Sequence, residues 1–522
     1  MSNEKVVDTE GDHHSSVETK ESADDAASIS STHTTLFKIV VVNKGVTYPN
    51  LISYLLASAL TITLVVFISI VQPFVLTMVL GMRGNLGNTT GSLILYDEIL
   101  TLPMVIIWGI VSDRIGRRAV YSTGFICLGT ALILYGYVEN VYPQLLLCRL
   151  LFAIGSAACT CMMTGTMGDV AGGLHAGGRV SALVGMFSGF GALFAAMALL
   201  NVPSVLGRRY NNTVKGIRLS LISVGAAAIV LALIFLFTLP RRAGPRRGFK
   251  DMFRKFERNE LPNVFHMLKY GILAARDPRI ALAYLSSFVA RADTVLFTSY
   301  ITLWVSQYYF TLGWCPDAAS EMCRSMAIGD SHKLTGTAQG IALAFAPLYG
   351  YASEKVNKSL VLSIAGLIGA AGTLPFAFTK TAPADNSNLA FVLMVGAGQI
   401  GVIVTGMVLV TGKFIDPRMR GSVAGVFSLF GSISIMIMGR LGGYLFDAWM
   451  PGAPFVLLGI VHILIMLFGI YVAIITPRLE REDRERLERQ DRERQDRERL
   501  ETERQSHVLE PTGEELSFTN KE

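Results

Sequence analysis

Apolar residues along this chain gather into runs near 51–80, 92–111, 119–138, 144–168, 181–204 and 217–239. After a basic interval they resume near 280–306, 334–352, 360–379, 389–412, 422–445 and 453–476. Each run reaches or nearly reaches the about 20 residues with which a helix crosses a hydrocarbon core of about 30 Å. The runs are too long for barrel strands, and in lipid only helices and closed barrels satisfy every backbone polar group. The pattern therefore predicts an all-α membrane protein with twelve transmembrane helices, spans 1 to 12 in chain order.

An even number of spans returns both ends to one side. Loops after the even-numbered spans hold about 20 basic residues and those after the odd-numbered spans about 8, so both termini are expected to be cytoplasmic. The sequons at Asn88 and Asn211 then lie outside as candidate glycosylation sites. The first 35 residues are polar and acidic without an apolar core, so no cleavable leader is expected and span 1 serves as the insertion signal.

Composition narrows the choice further. Of 522 residues 51% are hydrophobic and 16% charged, against roughly 25% charged in soluble domains. That excludes a soluble globule and a nucleic-acid partner; the partners expected are the lipid bilayer, a small organic solute and protons. No metal-ligand spacing, nucleophile elbow or phosphate-binding loop is present in the sequence. No cofactor, metal or catalytic residue is expected, and the chain is not expected to be an enzyme. With no nucleotide-binding domain, an ion gradient or the solute gradient must supply the energy. Cys315 and Cys323 share the outer loop after span 7, where an oxidising exterior permits a bridge; the other four cysteines lie within spans.

A repeat organises the chain. Gly185-Met-Phe-Ser-Gly-Phe-Gly191 recurs as Gly425-Val-Phe-Ser-Leu-Phe-Gly431 at a register of 240, and Gly109 to Arg118 recurs in degraded form as Gly350 to Lys358 at 241. Thr164-Gly165 and Thr405-Gly406 keep that register. The halves are thus expected to be two pseudo-symmetric six-helix bundles, 48–240 and 280–476, joined by a basic cytoplasmic linker, 241–279. They are flanked by a disordered tail, 1–47, and a charged tail, 477–522. Two similar bundles can rock about a midplane site, and Gly185 and Gly189 would let helices approach closely.

Gly109-x-x-x-Asp113-Arg114-x-Gly116-Arg117-Arg118 between spans 2 and 3 resembles the loop motif of the major facilitator superfamily. The weaker copy at Gly350, Glu354 and Lys355 and the Arg149 segment of span 4 extend the likeness across residues 48 to 476. Phe190 follows Gly189 where the family's exchangers often carry proline, and sugar-porter hallmarks are missing; the texture is closest to proton-linked drug or organic-solute carriers. The resemblance implies a conformational latch in which Asp113 sits at the start of span 11 with Arg117 nearby. Independently, an anion at a helix start gains typically 0.3 to 1 kcal/mol.

Ionisable residues within spans cost about 2.5 kcal/mol or more, which makes each a functional candidate. Asp97 and Glu98 are read as lying near the outer end of span 2, at the depth of Arg149. One of them is expected to pair with Arg149 and exchange protons, while the other faces the outer water layer; a structural ion pair is the alternative. Arg291 and Asp293 lie on nearly opposite faces of span 7, and Arg440 is the expected partner of Asp293. Gln72 and Gln399 are candidate solute-binding residues, with interhelical bonding as the alternative; Pro73 is expected to bend span 1, and His462 to pack. The reading is a proton-coupled secondary transporter working by alternating access in a plasma or vacuolar membrane, with a facilitative uniporter, a transporter-like sensor and a scaffold as the alternatives.

Overall fold

The computed structural model describes residues 33–36, 40–43, 46–170, 177–240, 264–311, 320–410, 415 and 420–509. Among the described residues, eleven helices are long and apolar enough to cross a membrane. The helix of span 8, Glu321–Lys355, has 35 residues and ample length, but Thr335, Thr337, Gln339 and several glycines dilute its apolar character. A twelfth crossing by this polar helix completes two six-helix bundles, spans 1–6 and 7–12. Both ends of the membrane part then share one face, the terminal face; the other is the distal face.

Span 1 runs Tyr48–Phe74 with proline in its first turn, and past Pro73 it widens into a π turn, Val75–Val79. Proline cannot donate to the helical ladder, and Thr77 returns its hydroxyl to the Pro73 carbonyl at 2.8 Å. Span 2, Leu86–Ile115, ends at Gly116, whose φ of 96° suits glycine. Spans 3 and 4 are Arg117–Tyr135 and Leu146–Val170, and span 5 is Gly177–Phe194. A short helix, Asn201–Tyr210, precedes span 6, Thr213–Thr238, which Asn212 caps by accepting from the Lys215 amide. Span 7 is Pro278–Thr311; spans 9, 10 and 11 are Lys358–Ala377, Asn386–Val410 and Arg420–Ala448.

Span 12 does not stop at the membrane. Its helix is unbroken over Ala453–Leu509, Pro477 included. Beyond Pro477, Arg489–Glu485 and Arg492–Glu488 pairs at i, i+4 support it.

Two boundaries of the expected organisation change. The interval 241–279 is not wholly a linker, because a helix, Val264–Ala274, docks at the base of span 11, where Gly271 lies against Ser422 and Val426. The Tyr284 hydroxyl donates to the Gly271 carbonyl at 2.7 Å, and span 7 already begins at Pro278. Within 1–47, residues His33–Leu36 and Val40–Asn43 pair as an antiparallel hairpin, β1 and β2, so expected disorder does not hold there.

The repeat has equivalent structural uses in the two halves. Gly191 of span 5 meets the backbone of Ala59 in span 1 and accepts the Thr63 hydroxyl at 3.0 Å; its register mate Gly431 in span 11 meets Ser287 and Arg291 of span 7. Gly129 in span 3 touches Gly225 of span 6 backbone to backbone, and its mate Gly369 in span 9 receives His462 of span 12. The close approach expected at Gly185 is absent: a Cβ there would meet nothing within 4 Å, while Gly189 faces only the Leu343 side chain.

Replacing Gly191 with Val should destabilise the protein by about 1–3 kcal/mol, since the added carbons meet main chain, which cannot rotate away. Thermal unfolding in detergent checks this against Gly185→Val, for which little change is expected.

Candidate functional site

The two bundles are bound to each other chiefly at the distal face. Asp447, near the end of span 11, accepts from the amides of Gly87 at 3.0 Å and Asn88 at 2.7 Å. These are first-turn donors of span 2, which have no partner within their own helix. Glu321 of span 8 does the same for span 6, accepting from the Thr213 amide at 2.6 Å and from its hydroxyl. Arg440 bonds the Asn88 side chain, and His332 lies 2.9 Å from the Met197 carbonyl and 3.1 Å from Asn201. Gly87 and Gly443, and Gly91 and Gly439, admit the opposing backbones of spans 2 and 11.

Toward the terminal face, a Cβ added at Gly185 of span 5, Gly350 of span 8 or Gly425 of span 11 would meet no described atom within 4 Å. Among the described residues, the polar contacts that cap one bundle's helices with the other's side chains lie at the distal face.

The side chains of Asp113 and Arg114 lie outside the described residues, so the latch at the start of span 11 is not among the described contacts. Arg117 lays its guanidinium against Gly165 of span 4. Arg118 is part of the same helix start, and Glu354 and Lys355 are exposed at the end of span 8, beside Gly350. Gly109 adjoins Cys161 at ordinary contact distance.

The ionisable residues inside the spans form three groups. In the first bundle Asp97 pairs with Arg149, with Tyr135 beside the guanidinium and the Tyr135 hydroxyl 3.4 Å from Gln72 Oε1. Span 2 starts at Leu86, several residues before the expected edge, so Asp97 and Glu98 sit near its middle rather than its outer end. Glu98 does not face the outer water layer. It is 9% exposed and turned to the other bundle, against Ser432 of span 11 with Arg291 of span 7 nearby.

In the second bundle Asp293 does not pair with Arg440, which the distal contact occupies. Its partner is His462 of span 12, whose Nε2 lies 3.2 Å from Asp293 Oδ2, both side chains being at most 1% exposed. His462 Nδ1 lies 2.8 Å from the Leu458 carbonyl, and a carbonyl only accepts, so Nδ1 carries a proton. Nε2 and the carboxyl stand at ion-pair distance. His462, expected only to pack, is the partner; its signal in the chain is Gly366 and Gly369, whose missing side chains make the slot that its ring fills.

Gln72 and Gln399 are buried, and Gln399 donates to the Thr294 hydroxyl at 3.3 Å; both join helices rather than face open space. Asn88, a candidate glycosylation site, has its side chain engaged by Arg440, whereas Asn211 is exposed in a turn with φ of 49°. Cys323 is disulfide-bonded, and Cys315 lies outside the described residues. Cys127, Cys148, Cys159 and Cys161 form no disulfide.

Two six-helix bundles that cap each other's helices at one face form the architecture of a membrane transporter. The chain belongs to the Major Facilitator Superfamily, whose family model matches residues 51–329 and 327–510. It is similar to the magnetosome protein MamZ of Paramagnetospirillum magneticum, 24% identical over 439 residues, covering 81% of this chain and 62% of MamZ. The chain thus spans less than two thirds of that relative. Magnetosome protein MamH of the same organism is 23% identical over 438 residues, covering 82% of this chain and 92% of MamH.

Among solved structures, a D-xylose-proton symporter aligns with a TM-score of 0.59 at 16% identity, covering 81% of this chain and 97% of that one. A mutant of the nucleoside transporter NupG gives 0.58 at 14% identity, covering 81% and 99%. A bacterial homologue of the human lysosomal transporter Spinster, inward-facing and occupied, gives 0.54 at 16% identity, covering 84% and 99%. These likenesses are of fold.

Two outcomes test the geometry. His462→Ala leaves a buried carboxyl without its partner and should cost roughly 3 kcal/mol, whereas Asp293→Asn retains an amide that can donate to Nε2 and should cost less; unfolding in detergent ranks the two. Asp447→Ala removes two charge-assisted bonds and should shift the balance toward an open distal face by about 1–3 kcal/mol. Spin-label distances across the distal loops measure that shift, and an unchanged distribution counts against a holding role for Asp447.

Proposed function

We propose that the chain is a secondary active transporter that moves a small organic solute by alternating access, coupled to protons. It would work with both ends in the cytoplasm, in a plasma or vacuolar membrane; the caps between the bundles then lie at the outer face. The excess of basic residues in the loops of the terminal face supports this orientation.

The observation that carries the reading is the position of Glu98 and Arg291. They lie within electrostatic reach of each other, from different bundles and at mid-span, with the distal side held by caps between the bundles. A pair inside one bundle moves as a unit when the bundles rock, but a pair divided between bundles does not. Its separation, and hence the free energy of the Glu98 charge, depends on which face is open. That dependence is what links a proton to a conformational change. Arg291, Ser432, neighbouring Asp97 and, behind it, Arg149 set the field at Glu98.

Asp113 acts in this scheme as the counterpart of Asp447. When the bundles rock, the distal caps open and a carboxylate at the end of span 2 reaches the start of span 11 on the cytoplasmic face, with Arg117 holding the turn. Asp293 with His462 is a second proton-holding site, kept from water in this state. The fold shared with a D-xylose-proton symporter supports proton coupling within this architecture.

The test uses the purified full chain in vesicles, with a solute found by thermal-shift screening of a metabolite panel at two pH values. Glu98→Gln should reduce accumulation driven by a pH gradient about tenfold or more while solute exchange down its own gradient continues. Accumulation unchanged in both Glu98→Gln and Asp293→Asn would falsify proton coupling through these carboxyls.

A further inference from the structure

Span 7 is enclosed along most of its length. From residue 277 to 309 every position is buried or half-buried except Arg291, which is exposed. Arg291 stands 13 residues from the start of the helix at Pro278, about 20 Å along it and near the middle of the membrane. A guanidinium presented to hydrocarbon at that depth costs about 2.5 kcal/mol or more. Arg291, exposed at that depth among enclosed neighbours, is therefore read as opening on water between the bundles.

Its stem is held while its head is free. Gly431 of span 11 lies against the Arg291 side chain, and a Cβ there would come 2.7 Å from Arg291 Cγ and 3.0 Å from Ser287 Oγ. Ser287 donates to the Phe427 carbonyl at 2.6 Å, which fixes span 7 against span 11 at this level. The guanidinium itself is in no described hydrogen bond or ion pair. Arg149, by contrast, is tied to Asp97, Arg279 to Asp277 and Asp483, and Arg440 to Asn88. Glu98 acts on Arg291 through its charge from the opposite bundle, while lying against Ser432.

We propose that Arg291 is the solute-binding cation of the cavity and that the transported solute carries an oxyanion, a carboxylate or a phosphate. This deepens the transport reading and rests on it. Five donors in a planar fork match the two oxygens of such a group, and a pre-aimed guanidinium loses little freedom on binding. The solute anion and Glu98 share one cation. With Glu98 protonated, Arg291 is left to the solute; with Glu98 ionised, the carboxylate competes for it. Solute and proton therefore enter together.

The experiment follows phenylglyoxal modification of Arg291 at residue level, by mass spectrometry, in the full chain reconstituted in lipid. The probes are benzoate against benzamide, and glycerol 3-phosphate against glycerol, at matched ionic strength. Modification should be slowed by one or both anions and by neither neutral analogue; which anion protects decides between carboxylate and phosphate. Arg291→Gln should lower anion affinity, read by thermal shift, about tenfold to a hundredfold, and Arg291→Lys less, since it keeps the charge without the fork. Gly431→Ala displaces the stem and should weaken binding with the guanidinium still present, which keeps the proposal testable if Arg291→Gln fails to fold.

Equal protection by neutral and anionic probes, or none by any, overturns the assignment. Proton-driven uptake of neutral solutes alone would also overturn it and leave proton-linked transport standing. Anion protection at Arg291 without flux in vesicles would sustain the binding site and defeat transport.

Discussion

Lipid offers no hydrogen bonds, so each helix start in this protein must find acceptors for its first amides within the protein or in water at the membrane surface. At the distal face that need is met across the bundle boundary, with Asp447 and Glu321 from the second half accepting the first amides of spans 2 and 6. Joining the halves in this way makes closure conditional. The amides can be hydrated when the halves part, so the contact is strong enough to hold one state without excluding another.

Glycine makes the contact possible. Gly87, Gly91, Gly439 and Gly443 bring the backbones of spans 2 and 11 close enough for a short aspartate to reach from one helix to the start of the other. The same economy appears inside each bundle, at Gly129 with Gly225 and at Gly369 with His462. In the first half the vacated volume is filled by main chain; in the second it holds an imidazole at ion-pair distance from Asp293. One ancestral packing position thus carries backbone contact in one half and a buried titratable pair in the other.

Much of this was legible in the chain. The apolar runs fixed the helices, because their length is set by the bilayer, and the 240-residue register exposed the duplication, because packing glycines resist drift. Asp97 with Arg149 could be matched by depth. Partners across bundles could not: Arg440 went to Asn88 and Glu98 turned to span 7, choices made by helix rotation that a one-dimensional depth estimate does not contain. Helix Val264–Ala274 was hidden in a basic interval because its anchor is a single glycine against span 11. The edge of span 2 was misplaced because Gly87 to Thr90 are polar, yet Gly87 and Asn88 spend their polarity on the contact with Asp447 and Arg440.

The unbroken helix of span 12 makes the second bundle the base of a rod. From Pro477 to Leu509 it extends about 50 Å, and Asp483 clamps its root to Arg279 at the foot of span 7, at 2.7 Å. Stiffness turns a small rotation into a long stroke: tilting that base by about 10° sweeps the tip through about 9 Å. Whatever the bundles do at the scale of a side chain is thereby written at the scale of a domain, tens of ångströms from the lipid.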